Sequence, residues 1–141
     1  MKMEIVIDKR YNHTFNQKQL IRMIKLFGIS NCDTVRKAKK MLESQPIAFN
    51  YIDFRKSDFS LANIEEWLDF VSIDKIINPK SKAWKTLSEQ AQTALMSGDN
   101  LECLINTPTL IKRPVLQTHN NVIFGFNTDD YQQAVKGNCH D

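Results

Sequence analysis

Long apolar runs are missing from this 141-residue chain. No uncharged apolar stretch approaches the roughly 20 residues that a membrane-spanning helix needs, so no membrane role is expected. The N-terminus has no continuous apolar segment of the signal-peptide kind. Cysteine is scarce: only Cys32, Cys103 and Cys139 occur, and none lies in a Cys-x-x-Cys motif. Three cysteines cannot all pair within one chain, which argues against a disulfide scaffold and a zinc knuckle. The three histidines, His13, His119 and His140, have no partner at metal-ligand spacing, so neither a metal site nor a Cys–His pair is expected. Reduced thiols and a cytoplasmic location are the expectation.

A strong charge bias is also missing. The formal net charge is +3, and its distribution matters more than its size. Residues 1–22 hold Lys2, Lys9, Arg10, Lys18 and Arg22 against Glu4 and Asp8. That segment carries the whole excess and leaves the main body neutral, with no global attraction to nucleic acid. Its polar, weakly patterned sequence reads as an N-terminal extension, either a mobile tail or an over-long translated start. A compact domain then spans residues 23–136, and 137–141 form a short tail. The apolar content of 42% and charged content of 25% suit one soluble domain with a real core.

Within that domain, residues 24–27 read as a short strand. Val35, Ala38, Met41 and Leu42 recur at helical spacing over residues 34–44, opposite a polar face with Arg36, Lys37, Lys39, Lys40 and Glu43. Residues 47–54 alternate and read as a second strand. Strand–helix–strand at this length predicts a parallel pair with a right-handed crossover. Residues 58–106 read as an all-helical insert without repeat or low-complexity tract. Leu61, Ile64, Trp67, Leu68 and Val71 make one stripe, with Asp58 or Ser60 available as cap. Asn78-Pro79 interrupts it. Trp84, Leu87, Ala91, Ala94 and Leu95 support a second helix, and Asp99 with Glu102 resembles a capping box for a third. Two strands around a 118–121 hairpin loop and a helix over 128–135 follow. This order predicts an α/β, thioredoxin-like layout: helices on a four-stranded mixed sheet, with an all-helical insert.

Cys32 carries the chemical interest. It follows the first strand at or just before a helix N-terminus, where free N–H groups and the helix dipole favour an anion. A thiolate there is stabilised as a nucleophile. A buried, inert cysteine fits the local sequence as well; the place of Cys32 after the first strand of this layout favours the reactive reading. Arg113, before Pro114, offers a fork for an oxyanion or carboxylate, unless a surface carboxylate holds it. Lys80 and Lys82 make a basic loop around Ser81. Ser30 and Asn31 stand next to the cysteine and could orient it or its substrate. Trp67 and Trp84 read as packing residues. Cys103 reads as a core residue and Cys139 as an exposed terminal one; either is a candidate to resolve a mixed disulfide.

The motifs Leu26-Phe27-Gly28-Ile29-Ser30-Asn31-Cys32-Asp33-Thr34, Ile52-Asp53-Phe54-Arg55, Trp84-Lys85-Thr86-Leu87, Ile111-Lys112-Arg113-Pro114 and Gly125-Phe126 with Tyr131-Gln132-Gln133 stand in an order that resembles the arsenate reductase (ArsC) superfamily, and most closely its YffB-type members. The resemblance spans roughly residues 23–136. It implies a thioredoxin-like fold with a helical insert, Cys32 as nucleophile, and Arg113 as the arginine that holds an oxyanion or lowers the cysteine pKa. Ser30, Asn31, Lys80 and Pro114 become substrate-binding candidates. Lys80 stands where the family usually has a second arginine, and no arginine occupies residues 124–127, where glutaredoxin-coupled arsenate reductases carry a third. The resemblance therefore implies a glutathione-dependent thiol reductase before an arsenate reductase. Glutathione is the expected co-substrate, glutaredoxin the alternative reductant, and a monomer with no bound cofactor the expected state. Spx-type regulators, which bind RNA polymerase, belong to the same superfamily. Their Cys-x-x-Cys switch is absent here, since Val35 occupies the second position.

Overall fold

The computed structural model describes residues 6–8, 13–15, 24–29, 32–45, 47–56 and 58–139. In the N-terminal extension, β1 (Val6–Asp8) and β2 (His13–Phe15) pair antiparallel as a two-stranded sheet of their own. The main body is built on β3 (Ile24–Gly28), α1 (Asp33–Glu43) and β4 (Phe49–Asp53). β3 and β4 run parallel, with Ile24 opposite Phe49 and Gly28 opposite Asp53. β5 (Val115–Gln117) lies antiparallel on the other side of β3, and β6 (Val122–Phe124) is antiparallel to β5. The resulting order, β4-β3-β5-β6, is a four-stranded mixed sheet. The last helix, α7 (Thr128–Cys139), returns to that sheet.

The strands alternate between two apolar layers, as the two-residue period requires. Ile24 and Leu26 of β3, Phe49 of β4 and Leu116 of β5 face Ala38 and Leu42 of α1 and Tyr131 and Val135 of α7. Phe27, Ile52, Val115 and Val122 face the insert. There Trp67 is fully buried among Phe27, Phe59 and Phe124. Its indole N–H donates to Gln117 Oε1 at 3.1 Å, and the Gln117 amide donates onward to Glu66 at 3.0 Å. The expected packing role of Trp67 is thus realised, with its one polar atom satisfied by the sheet.

The insert contains α2 (Leu61–Leu68), α3 (Ile73–Ile76), α4 (Lys82–Thr86), α5 (Glu89–Met96) and α6 (Glu102–Asn106). Ser60 is the N-cap of α2, and its N–H is taken by Asn63 Oδ1 at 2.9 Å. Two details differ from the sequence expectation. The single helix over Trp84 to Leu95 is two helices. Leu87 is extended, and the Ser88 hydroxyl accepts the Ala91 N–H at 3.1 Å, which restarts the chain as α5. The Asp99–Glu102 capping box does not form. Leu101 is the N-cap of α6 and Asn100 adopts φ 58°, so Asp99 lies outside the first turn. The helix α3 had no periodic signal, being four residues long. At the C-terminus, α7 runs to Cys139 and takes in part of the expected tail.

Candidate functional site

The nucleophile candidate is fixed by close backbone packing. Gly28 ends β3, and a Cβ at that position would lie 2.7 Å from both methyl groups of Val35. Glycine therefore lets the first turn of α1 rest directly on the strand end. Cys32 is the N-cap of α1, with extended backbone (φ −102°, ψ 126°). Its N–H donates to the Ile29 carbonyl at 3.2 Å, and its carbonyl accepts the Arg36 N–H at 3.0 Å. The thiol is half-buried and free of any disulfide. On the exposed flank of this turn Arg36 and Asp33 pair with each other, which leaves the N–H groups of the turn as its local positive field.

Pro114 is brought to the same end of the sheet. Val115 pairs with Phe27 across the antiparallel ladder, so the next step sets Pro114 beside Gly28. Pro114 is buried, the Arg113–Pro114 peptide is cis, and the Pro114 carbonyl accepts the Gly125 N–H at 2.8 Å. Ser30 and Asn31, the two remaining candidates beside the cysteine, lie outside the described residues.

The insert is tied to the segment that carries Arg113. Ile77 bridges Ile111, the Lys112 N–H donates to Ile76 at 2.9 Å, and the Asn78 N–H donates to Leu110 at 2.8 Å. Asn78 then shapes the basic loop. Its side-chain oxygen accepts the Lys80 N–H at 3.1 Å, its carbonyl accepts the Ser81 hydroxyl at 2.8 Å, and Ser81 caps α4 through the Trp84 N–H at 3.1 Å. Lys80, Ser81, Lys82, Thr86, Thr109 and Arg113 consequently line one open cavity of about 640 Å³. Its described lining holds three cations and three hydroxyls and no carboxylate. Arg113 pairs with no carboxylate among the described residues, unlike the surface ion pair that its sequence also allowed. Cys32 is not part of the described lining; it is the N-cap of α1, four residues after the end of β3. Thr86 and Thr109 had no sequence signal, because their elements come together through the Ile77–Ile111 bridge and the hydrogen bonds beside it, which join segments far apart in the chain.

Two further polar groups stand on β4, Asp53 at its end opposite Gly28 and Tyr51 at its middle opposite Leu26. Burial works against the Asp53 carboxylate, but hydrogen bonds from Arg55 (backbone N–H at 2.9 Å, guanidinium at 3.4 Å) outweigh it and hold its pKa below the usual value. Tyr51 lies under α1 with Lys39 Nζ 4.5 Å above its ring. Cys103 is half-buried against the insert core, as expected of a packing residue. No group of three or more metal-ligating side chains occurs among the described residues, and no helix is long and apolar enough to cross a membrane.

A βαβ unit followed by an antiparallel hairpin and a helix, on a four-stranded mixed sheet with helices on both faces, defines a thioredoxin-like protein. The family model for ArsC matches residues 27–134, and the chain belongs to the ArsC family. It is 36% identical over 112 residues to an uncharacterized protein of Haemophilus influenzae, covering 79% of this chain and 98% of that one. The solved structure of a YffB protein superposes with a TM-score of 0.71 at 26% identity, covering 79% of this chain and 98% of the other. An arsenate reductase (ArsC) related protein from Brucella melitensis gives 0.60 at 25% identity, over 81% and 95%. The global transcriptional regulator Spx of Lactiplantibacillus plantarum is 24% identical over 80% of this chain and 86% of its own.

Proposed function

We propose that this protein is a cytoplasmic, monomeric thiol oxidoreductase that uses Cys32 to exchange disulfides with glutathione. Cys32 thiolate attacks the glutathione sulfur of a mixed disulfide R–S–S–G. The S–S bond of the mixed disulfide breaks, R–S⁻ leaves as a thiolate and takes a proton, and Cys32–S–S–G remains. A glutathione thiolate then attacks the glutathione sulfur of this adduct, releasing oxidised glutathione and restoring the Cys32 thiolate. The balance is R–S–S–G plus one glutathione giving R–SH plus glutathione disulfide, with no cofactor. Glutaredoxin is the alternative reductant in the second step. Lys80 and Arg113 hold the carboxylates of the glutathionyl group, and Ser30, Asn31 and Pro114 orient it.

The observation that carries this reading is the cavity around Lys80, Lys82 and Arg113, whose described lining holds no carboxylate, in a chain where Cys32 caps α1. Incubation of the reduced protein with glutathione disulfide, followed by intact mass and peptide mapping, tests it. One glutathione on Cys32, lost in Cys32→Ser and kept in Cys103→Ser and Cys139→Ser, is the expected result. Modification that disappears only with Cys103→Ser or Cys139→Ser would sink the assignment.

The same three cations favour a second reading, arsenate reduction through an arsenate–Cys32 adduct. Only Arg113 among them offers a guanidinium fork, so weak arsenate affinity is expected. Turnover of arsenate with glutathione and glutaredoxin at a rate matching the thiol reaction would reverse this ranking. A regulator's role like that of Spx would have to work without an internal switch. Val35 stands where the second cysteine of a Cys-x-x-Cys would be, packed on Gly28.

A further inference from the structure

A second cavity, of about 480 Å³, opens where the chain leaves β4. Phe54, Arg55, Lys56 and Phe59 line it from the turn after that strand, and Ile105 and Pro108 from the end of the insert, with Asn106 at its edge. The Phe54 N–H donates to the Gly28 carbonyl at 2.9 Å, which fixes this turn against the end of β3. The cationic cavity instead takes Arg113, which precedes β5. In the strand order β4-β3-β5, one cavity thus draws on the β4 side of Gly28 and the other on the β5 side. Pro108 lines one and Thr109 the other. Their chemistry differs. Phe54 and Phe59 are buried and meet at 4.8 Å between ring centres, and Ile105 and Pro108 are half-buried. Arg55 and Lys56 are exposed, and the described lining holds no carboxylate. Arg55 serves Asp53, so Lys56 is the cation available to a guest.

We infer that this second cavity is the subsite for R, the half of the mixed disulfide that glutathione does not supply, and that R is an apolar group bearing a carboxylate. This rests on the thiol exchange proposed above and names the substrate class that it left open. The two halves of a disulfide extend from the sulfur pair in different directions, so they need separate receptacles. The cationic cavity, with three cations and no aromatic ring in its described lining, suits the charged glutathionyl group. The second, with an aromatic floor and a cationic rim, suits a larger apolar body whose carboxylate reaches Lys56. When Cys32 thiolate attacks the glutathione sulfur, the S–S bond breaks with its electron pair on the R sulfur. That sulfur takes a proton, and R–SH departs from this cavity.

The test compares two mixed disulfides of glutathione, one with 2-mercapto-3-phenylpropionate and one with 2-mercaptoethanol, each reduced by glutathione with the full chain present. Relative to the uncatalysed rates, kcat/KM should favour the phenylpropionate disulfide about tenfold. Lys56→Gln removes the rim cation, and Asn106→Trp fills the cavity from its exposed edge. Each should cut that preference about 3–10-fold, through KM. Lys136→Gln, at an exposed lysine of α7 outside both linings, should leave it unchanged. Turnover of both disulfides without a preference, or with one that both cavity variants keep, would overturn the inference and leave the Cys32 exchange standing. No turnover of either disulfide would overturn both. The cavity is also read without chemistry. In the parent chain, 3-phenylpropionate alone should shift the backbone amide NMR signals of Lys56 and Asn106, and unmoved signals there would refute the subsite whatever the turnover.

Discussion

The two faces of the sheet do different work. On one, α1 and α7 press on Leu26, Phe49 and Leu116, and the contact at Gly28 leaves α1 no freedom to slide. On the other, Trp67 anchors a cluster of aromatic rings, but the loop that carries Lys80 and Lys82 is exposed and its cations pair with no acid among the described residues. Cys32, the candidate nucleophile, is held by close packing of its helix on the strand end, whereas the candidate anion-binding groups are joined to the sheet side through short ties at Ile77, Asn78 and Lys112. A thiol centre tolerates little displacement, while a flexible lysine can still reach a carboxylate from an exposed loop.

That contrast can be broken by substitution. Trp67→Ala should have the largest effect, about 3–5 kcal/mol of stability, because it empties the insert core and strips Gln117 of its donor. A chemical denaturation midpoint measures it. Gly28→Ala should come next, at about 1–3 kcal/mol. The added methyl meets Val35 at 2.7 Å and pushes on the turn that carries Cys32, so the Cys32 alkylation rate should change together with stability. Val35→Ala in the same chain should restore part of both.

Arg113→Ala sharpens the comparison from the other side. It should weaken affinity for a glutathione-bearing substrate about tenfold, or about 1.4 kcal/mol, while the denaturation midpoint stays put. A matching loss of stability would mean that Arg113 supports the fold instead. The smallest effect belongs to Asp53→Asn. The folded pKa of Asp53 is depressed, so its contribution is present above the unfolded carboxylate value, about 4, and fades as pH falls through the folded value. Arg55 is 51% exposed and 3.4 Å away, so less than about 1 kcal/mol is at stake. Parent and variant should converge in urea titrations below pH 4 and differ slightly at pH 7.

Elements with many periodic residues were legible in the sequence. Val35, Ala38, Met41 and Leu42 predict α1, and Leu61, Ile64, Trp67, Leu68 and Val71 predict α2; Val35, Ala38, Leu42, Ile64 and Trp67 are buried, Met41, Leu61, Leu68 and Val71 are half-buried, and Val71 lies past the helix end. The Asn78-Pro79 break and the 118–121 hairpin are also where the sequence places them. Local hydrogen bonds decided what periodicity could not. The Trp84–Leu95 stripe survives a break because Ser88 restarts the helix with a cap, and Asp99 loses its capping role to a left-handed Asn100.

By itself, the sequence determined the mixed α/β layout, the place of Cys32 at a helix start and the absence of a second cysteine near it. Those follow from spacing along the chain, which needs only local geometry. Tertiary structure decided which cations share a cavity and that the Tyr51 ring lies under α1. Thr109 and Arg113 meet Lys80 across more than twenty residues through the Ile77–Ile111 bridge, and Tyr51 meets α1 through the parallel register of β3 and β4. Such meetings depend on how elements pair in space, and no period along one chain encodes them.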